Sequence, residues 1–262
     1  MPYETLLFDV QDHVAHITLN RPQAANTINE QMTRDLMDAV LHCDEDPEIR
    51  AVMISSSGEM FSGGGDLNAF AAAGERLPSM IKEATIYFHG AISRLTRMDP
   101  PVIAAVHGRV AGGGLSIACA CDLVIAAEDT QFYLAYTRAG LTPDGSLSYF
   151  LPRTVGLKRA LDLALTNRVL STREALDWGI VSRIVPRREL LSQARAVAAQ
   201  LAAGPTLALG ATKRLLRSGW TETLETQMEH ESQSISKIVQ TQDAKEGIAA
   251  FLEKRPPKFK GK

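Results

Sequence analysis

A chain of 262 residues, 45% hydrophobic and 22% charged, is long enough to bury a substantial core. Its 28 Lys+Arg against 30 Asp+Glu leave a formal charge of -2, which supplies no basic face for a nucleic-acid backbone. No window approaches the roughly 20 unbroken apolar residues of a membrane span, and the opening residues lack the apolar core of a signal peptide. A soluble, cytoplasmic protein with neither nucleic acid nor membrane as partner is therefore expected. Cys43, Cys119 and Cys121 fit neither a redox pair nor a zinc knuckle, and the six histidines are scattered, so no metal site is expected either.

In chain order, His13 to Leu19 alternates as a strand and Asn20-Arg21-Pro22 stops it. From Asn29 to about His42 the apolar positions Met32, Leu36, Met37, Val40 and Leu41 recur at helical spacing. Ala51 to Ile54 is a short buried-strand run, and Ser55 to Gly58 a loop. A helix from Ser79 to Arg97 ends before Pro100-Pro101, Val102 to Val106 is the next strand, Gly112 to Ala120 a helix opened by glycines, and Leu123 to Ala127 a third strand. Alternating strand and helix define an α/β core over residues 1–186. Beyond Pro186 four helical stretches follow without a strand signal, Glu189 to Ala203, Pro205 to Arg217, Glu222 to Gln240 and Asp243 to Lys254. Residues 187–262 therefore read as a helical lid or oligomerisation element, ending in a basic, proline-broken tail.

Two glycine loops carry the chemistry. Phe61-Ser62-Gly63-Gly64-Gly65-Asp66-Leu67 and Val110-Ala111-Gly112-Gly113-Gly114-Leu115 each follow a buried strand and precede a helix or turn. Glycine there frees backbone amides to point outward, and two such loops can converge two donors on one oxygen as an oxyanion hole. Neither loop has the Lys-Ser/Thr of a phosphate-binding loop or the spacing of a dinucleotide fingerprint. Asp144, set between Pro143 and Gly145, reads either as a cap for a helix over Leu147 to Leu151 or as a carboxylate with a chemical task. For Asp66 the plain reading is a turn carboxylate bonded to nearby amides.

Asn20-Arg21-Pro22 with Asn26, the Phe61 to Leu67 loop, and Pro101 to Gly108 followed by Ala111-Gly112-Gly113-Gly114 together resemble the crotonase family, the enoyl-CoA hydratases and isomerases. The resemblance runs from about residue 5 to the tail and includes Trp178 to Val181 and Lys254 to Pro257. It implies a spiral of ββα turns with a C-terminal helical region that builds homotrimers or hexamers. It implies an acyl-CoA substrate and no separate cofactor, coenzyme A arriving as part of the substrate. The thioester oxygen is then held on the amides of Gly65 and Gly113. Coenzyme A lies along Gln23, Ala24 and Ala25 and along Ser62, Gly63, Gly64, Asp66 and Leu67, and the basic tail either reaches its phosphates or is a solvated terminus.

The two glutamates of the family's hydratases fall here on Ser116 and Tyr136, neither of which is a carboxylate. Asp144 resembles the aspartate of single-aspartate isomerases of the phenylacetyl-CoA type, and isomerisation with Asp144 as proton carrier and Tyr136 as a wall of the site is the first expectation. The alternatives are a halobenzoyl-CoA dehalogenase with Asp144 as nucleophile and His89 as base, a hydratase, and a thioester-binding protein without turnover.

Overall fold

The computed structural model describes residues 3–262, so residues 1 and 2 of the expected N-terminal region lie outside the described residues. Its strands are β1 (Leu6–Gln11), β2 (Val14–Leu19), β3 (Ala51–Ser56), β4 (Val102–Val106), β5 (Arg109–Ala111), β6 (Leu123–Ala127), β7 (Gln131–Tyr133), β8 (Leu170–Ser171) and β9 (Arg183–Val185). Six of them form one sheet in the order β1-β2-β3-β4-β6-β9, parallel except for the β1–β2 hairpin. That hairpin turns on Asp12 and His13, both at positive φ, the backbone a two-residue hairpin loop requires. β5, β7 and β8 make a smaller, three-stranded sheet beside it.

The large sheet is covered on both sides, which is why its central strands read as unbroken apolar runs. Val52, Ile54, Val102, Ala104, Val106, Val124 and Ala126 pack into one core with α1 (Glu30–Glu45), α3 (Leu77–Arg97) and α4 (Gly113–Ala120). Their neighbours Ala51, Met53, Ile103, Ala105, Ile125 and Ala127 face α8 (Leu190–Ala202), which meets them with Leu190, Ala194, Ala198 and Ala202. Small residues every fourth position keep that helix close to the sheet. α8 lies beyond residue 186 in sequence and yet completes the second core.

α2 (Leu67–Ala73) leads into α3, while α5 (Leu147–Val155), α6 (Leu157–Thr166) and α7 (Thr172–Asp177) precede β9. α9 (Thr206–Ser218), α10 (Leu224–Ile238) and α11 (Gln242–Leu252) complete the chain, and α10 buries no residue. The tail is largely exposed, as a solvated terminus is, and its last residues are tied to α11. Asp243 accepts the Lys260 and Gly261 amides at 2.6 and 2.7 Å and donates its own N–H to the Lys262 carbonyl at 2.9 Å. Among the described residues no helix is long and apolar enough to cross a membrane.

Candidate active site

The first glycine loop is held by Asn26, which is buried and itself at positive φ. Its side-chain amide donates to the carbonyls of Ser57 and Met60 at 2.7 and 3.0 Å, and its Oδ1 accepts the Arg21 N–H at 2.8 Å. Arg21 in turn bonds Asp66 at 3.0 Å. Asp66 is the N-cap of α2, accepting the Ala69 amide at 3.1 Å. Burial alone raises its pKa, but the Ala69 amide and Arg21 outweigh that and hold it below the usual carboxylate range. It bonds a nearby amide and the Arg21 side chain, as a turn carboxylate does.

The second loop lies directly against the first. Ser62 and Val110 form a parallel bridge, and a Cβ on Gly64 would come within 3.4 Å of the Gly112 Cα and 3.2 Å of the Ala111 carbonyl oxygen. Only glycine allows this approach, and Gly64 and Gly112 also sit at positive φ. Ile28 bridges to Gly65 by donating to the Gly64 carbonyl and accepting from the Asp66 amide, at 2.8 and 3.1 Å. This parallel pattern turns the amide of Gly65 itself away from Ile28. Gly113 opens α4, so its N–H belongs to the helix-terminal donors that lack an intrahelical partner and carry the positive end of the helix dipole. Neither amide has a backbone acceptor among the described residues. Both glycines line one cavity of about 270 Å³, whose walls are otherwise mostly apolar and include Ile28, Phe70, Met80, Phe88 and Leu141.

Asp144 stands on the wall between this cavity and a second one of about 860 Å³ behind it. It does not cap α5: Ser146 occupies the cap position, and the Asp144 main-chain carbonyl, not its carboxylate, accepts the Leu147 amide. Asp144 Oδ1 instead accepts the Tyr136 hydroxyl at 2.7 Å. Ser116 Oγ lies 3.0 Å from the Asp144 main-chain oxygen, 3.2 Å from the Tyr136 hydroxyl and 3.3 Å from the Gly112 oxygen, and its single proton serves one of these at a time. Burial first, and the Asp144 charge next, push the Tyr136 phenol well above its ordinary pKa, so it stays a donor.

The structure thus gathers Gly65, Gly113, Tyr136 and Asp144 around one cavity, with Gly63, Gly64 and Leu67 on its rim. Gln23, Ala24 and Ala25 lie outside that lining, on a turn joined to it where the Gly63 amide donates to the Ala25 carbonyl at 2.8 Å. Ser62 is fully buried, donating to the Asn26 carbonyl at 2.8 Å. His89 lines the rear cavity, and its Nε2 accepts the Gly145 amide at 3.2 Å. Phe150 also faces the rear cavity. Two contributions escaped sequence reasoning. One is Ser116 as a bonding partner; the other is the face of α3 bearing Leu77, Ile81, Ala84 and Phe88, which line the front cavity shared by Gly65 and Gly113. Their helical spacing is legible, but a cavity wall and a core stripe have the same spacing.

Residues 9–262 match the family described as enoyl-CoA hydratase/isomerase. Over 262 residues, covering all of both chains, the sequence is 37% identical to a probable enoyl-CoA hydratase of Rhodobacter capsulatus. It is 35% identical over 260 residues, 99% of each chain, to the 1,2-epoxyphenylacetyl-CoA isomerase of Escherichia coli. With a 4-chlorobenzoyl coenzyme A dehalogenase of an Arthrobacter species it shares 34% over 244 residues, 93% of this chain and 88% of the other. An enoyl-CoA hydratase crystal structure from Polaromonas superposes with a TM-score of 0.93 at 31% identity, covering 97% of this chain and 99% of that one. Loop geometry, sheet order and these likenesses agree: the chain belongs to the enoyl-CoA hydratase/isomerase, or crotonase, family and has its fold.

Proposed function

We propose that the protein isomerises the double bond of an enoyl-CoA thioester, with Gly65 and Gly113 holding the thioester oxygen and Asp144 moving the proton. The observation that carries this reading is the chemistry left in the thioester cavity. The two positions that hold glutamates in hydratases are Ser116 and Tyr136, and both are engaged with Asp144. Of the two carboxylates on the lining, Glu30 pairs with Arg34 at 3.0 Å, whereas Asp144 has Oδ2 free of any protein partner among the described residues.

In this mechanism Asp144 takes a proton from the carbon between the double bond and the thioester. The C–H electron pair enters an extended enolate whose charge rests on the thioester oxygen, where two preorganised amides in an apolar cavity are most effective. The neutral carboxylic acid then returns the proton to the far carbon, leaving the double bond conjugated with the thioester. No water is consumed, and the only coenzyme needed is the one the substrate carries. The pantetheine arm runs along Gly63 to Leu67 and beside Gln23 to Ala25 in this reading. Dehalogenation asks His89 to act as a base toward water, and the Gly145 amide already occupies its Nε2. Leu224, Met228, Ile235, Ile248 and Phe251, all exposed on α10 and α11, support self-assembly through the C-terminal helices, in the three copies that the family resemblance implies.

Ultraviolet absorbance of a 3-enoyl-CoA solution tests the reaction class. Growth of the conjugated enoyl-thioester band with the wild type, absent with Asp144→Asn, is expected. Loss of that band from a 2-enoyl-CoA sample would make the protein a hydratase, and halide release from 4-chlorobenzoyl-CoA would make it a dehalogenase.

A further inference from the structure

We propose that Tyr136 is a positioning residue that decides which oxygen of Asp144 carries the proton: it ties Oδ1 in a hydrogen bond and leaves Oδ2 as the working base. The inference rests on the isomerase reading and goes beyond it, since Tyr136 touches the proton carrier instead of the reacting carbon.

The geometry behind it is over-determined at each end of the tyrosine. Its main-chain carbonyl accepts the amides of Ala139 and Leu141 at 2.9 and 3.0 Å, which fixes where its Cα sits. Ala135 just before it is at positive φ, a backbone an alanine rarely adopts, and this turns the ring inward. The ring lies over Gly112, where a Cβ would stand 3.8 Å from Tyr136 Cζ. At the hydroxyl, Tyr136 donates to Asp144 Oδ1 at 2.7 Å, the usual length of a well-formed O–H···O bond. Ser116 completes the frame, its Oγ 3.0 Å from the Asp144 main-chain oxygen. Ser116 rides on α4, the helix whose first residue is Gly113. One rigid helix therefore supports an oxyanion donor at its start and the proton carrier one turn later. At the two positions where a hydratase keeps carboxylates, Tyr136 holds the Asp144 carboxylate and Ser116 lies against its main-chain oxygen.

A donor to a carboxylate favours its charged form, so losing the Tyr136 hydroxyl makes the base harder to keep ionised. Activity needs the ionised form, hence the acid limb of the kcat profile moves to higher pH. The other titratable or charged groups facing this carboxylate are His89 and Arg97 from α3, Tyr149 from α5, Arg214 and Arg217 from α9, and Glu30 across the front cavity. None of them is altered by the test variants.

The experiment is the pH dependence of kcat and KM for 3-enoyl-CoA isomerisation by wild type, Asp144→Asn and Tyr136→Phe. For Tyr136→Phe the acid limb should rise by about one pH unit and kcat at its plateau fall about tenfold, with KM within about twofold. An unmoved limb and an unchanged kcat would overturn the proposal and leave Tyr136 a wall of the site. Should the phenylalanine variant fold poorly, 3-fluorotyrosine at position 136 keeps the shape and strengthens the donor. It should move the limb downward, and no movement again overturns the inference. The two levels separate cleanly: an Asp144→Asn variant with wild-type turnover sinks the isomerase mechanism itself, whereas an inactive Asp144→Asn with an unmoved Tyr136→Phe limb sinks only the clamp.

Discussion

Gly145 shows how tightly Asp144, the proposed proton carrier, is placed. It sits at a φ of 57°, and a Cβ there would lie 2.4 Å from Phe88 Cε1 and 2.8 Å from Ser116 Cβ. Gly145→Ala must therefore push the Asp144 turn away from α3 and α4. Because roughly 1 Å of misplacement at a reacting group costs about 100-fold, steady-state kinetics of this variant should show a loss of that order in kcat. An alanine variant with wild-type turnover would mean that the turn has slack the packing does not show. At this scale Asp144 was legible in the sequence, since a carboxylate held between proline and glycine beside a glycine-loop family signature is conspicuous. Its partners were not. The Ser116, Tyr136 and Asp144 contacts span 8 to 28 residues along the chain, and which face of α4 meets the Asp144 turn is decided by tertiary packing.

Among the elements, the two glycine loops depend on staples that make no contact with substrate in the mechanism above. Asn26→Ala removes three buried hydrogen bonds and leaves the Ser57 and Met60 carbonyls without that donor. A loss of roughly 2–4 kcal/mol in denaturant unfolding is expected, with a fall in activity because the Gly65 amide moves with its loop. The longer helices and the central strands were readable because their apolar periods are sustained; Asn29, where the helical stretch was read to begin, is the cap of α1 and accepts the Met32 amide at 2.9 Å. β5, β7 and β9 are three residues long and β8 two, too short for any alternation to register. β1 escaped for another reason: as an edge strand it is buried only at Leu6 and half-buried at Phe8, and exposes Leu7 and Val10. α8 was visible as a helix, but nothing in its sequence says that it lies on the sheet and not among the terminal helices.

For the whole molecule, the exposed apolar side chains of α10 and α11 predict self-association, and with the stoichiometry that the family resemblance implies, sedimentation equilibrium should yield three chains per particle or a pair of such trimers. Charged substitution at Met228 and Ile235 together should shift that mass toward a single chain. Acid stability is a second property of the entire fold. Burial lowers the pKa of His16 and of His107 below the ordinary value near 6.5, against the opposing influence of Asp9 on the first and the Gly58 carbonyl on the second. The unfolded chain then binds more protons than the folded one as pH falls from about 6.5 through the lowered folded values, so stability declines in that window. The slope is at most about 1.4 kcal/mol per pH unit for each histidine. His107→Gln, which can still donate to Gly58, should flatten the dependence of the thermal midpoint on pH between 7 and 5. An unchanged slope would mean that His107 titrates alike in both states.

The central claim is that Asp144 exchanges a proton with the carbon beside the thioester while two amides hold the enolate, and hydrogen exchange reads this without reference to the product. The measurement is nuclear magnetic resonance of 3-enoyl-CoA in deuterated water, with wild type and with Asp144→Asn at equal concentration. Asp144 borders the rear cavity as well as the front one, a route by which its proton can be renewed from solvent. The account predicts deuterium entering substrate and product with wild type, and exchange at the uncatalysed rate with Asp144→Asn. Exchange by the asparagine variant at the wild-type rate would contradict it, and the proton carrier would have to be sought elsewhere in the cavity.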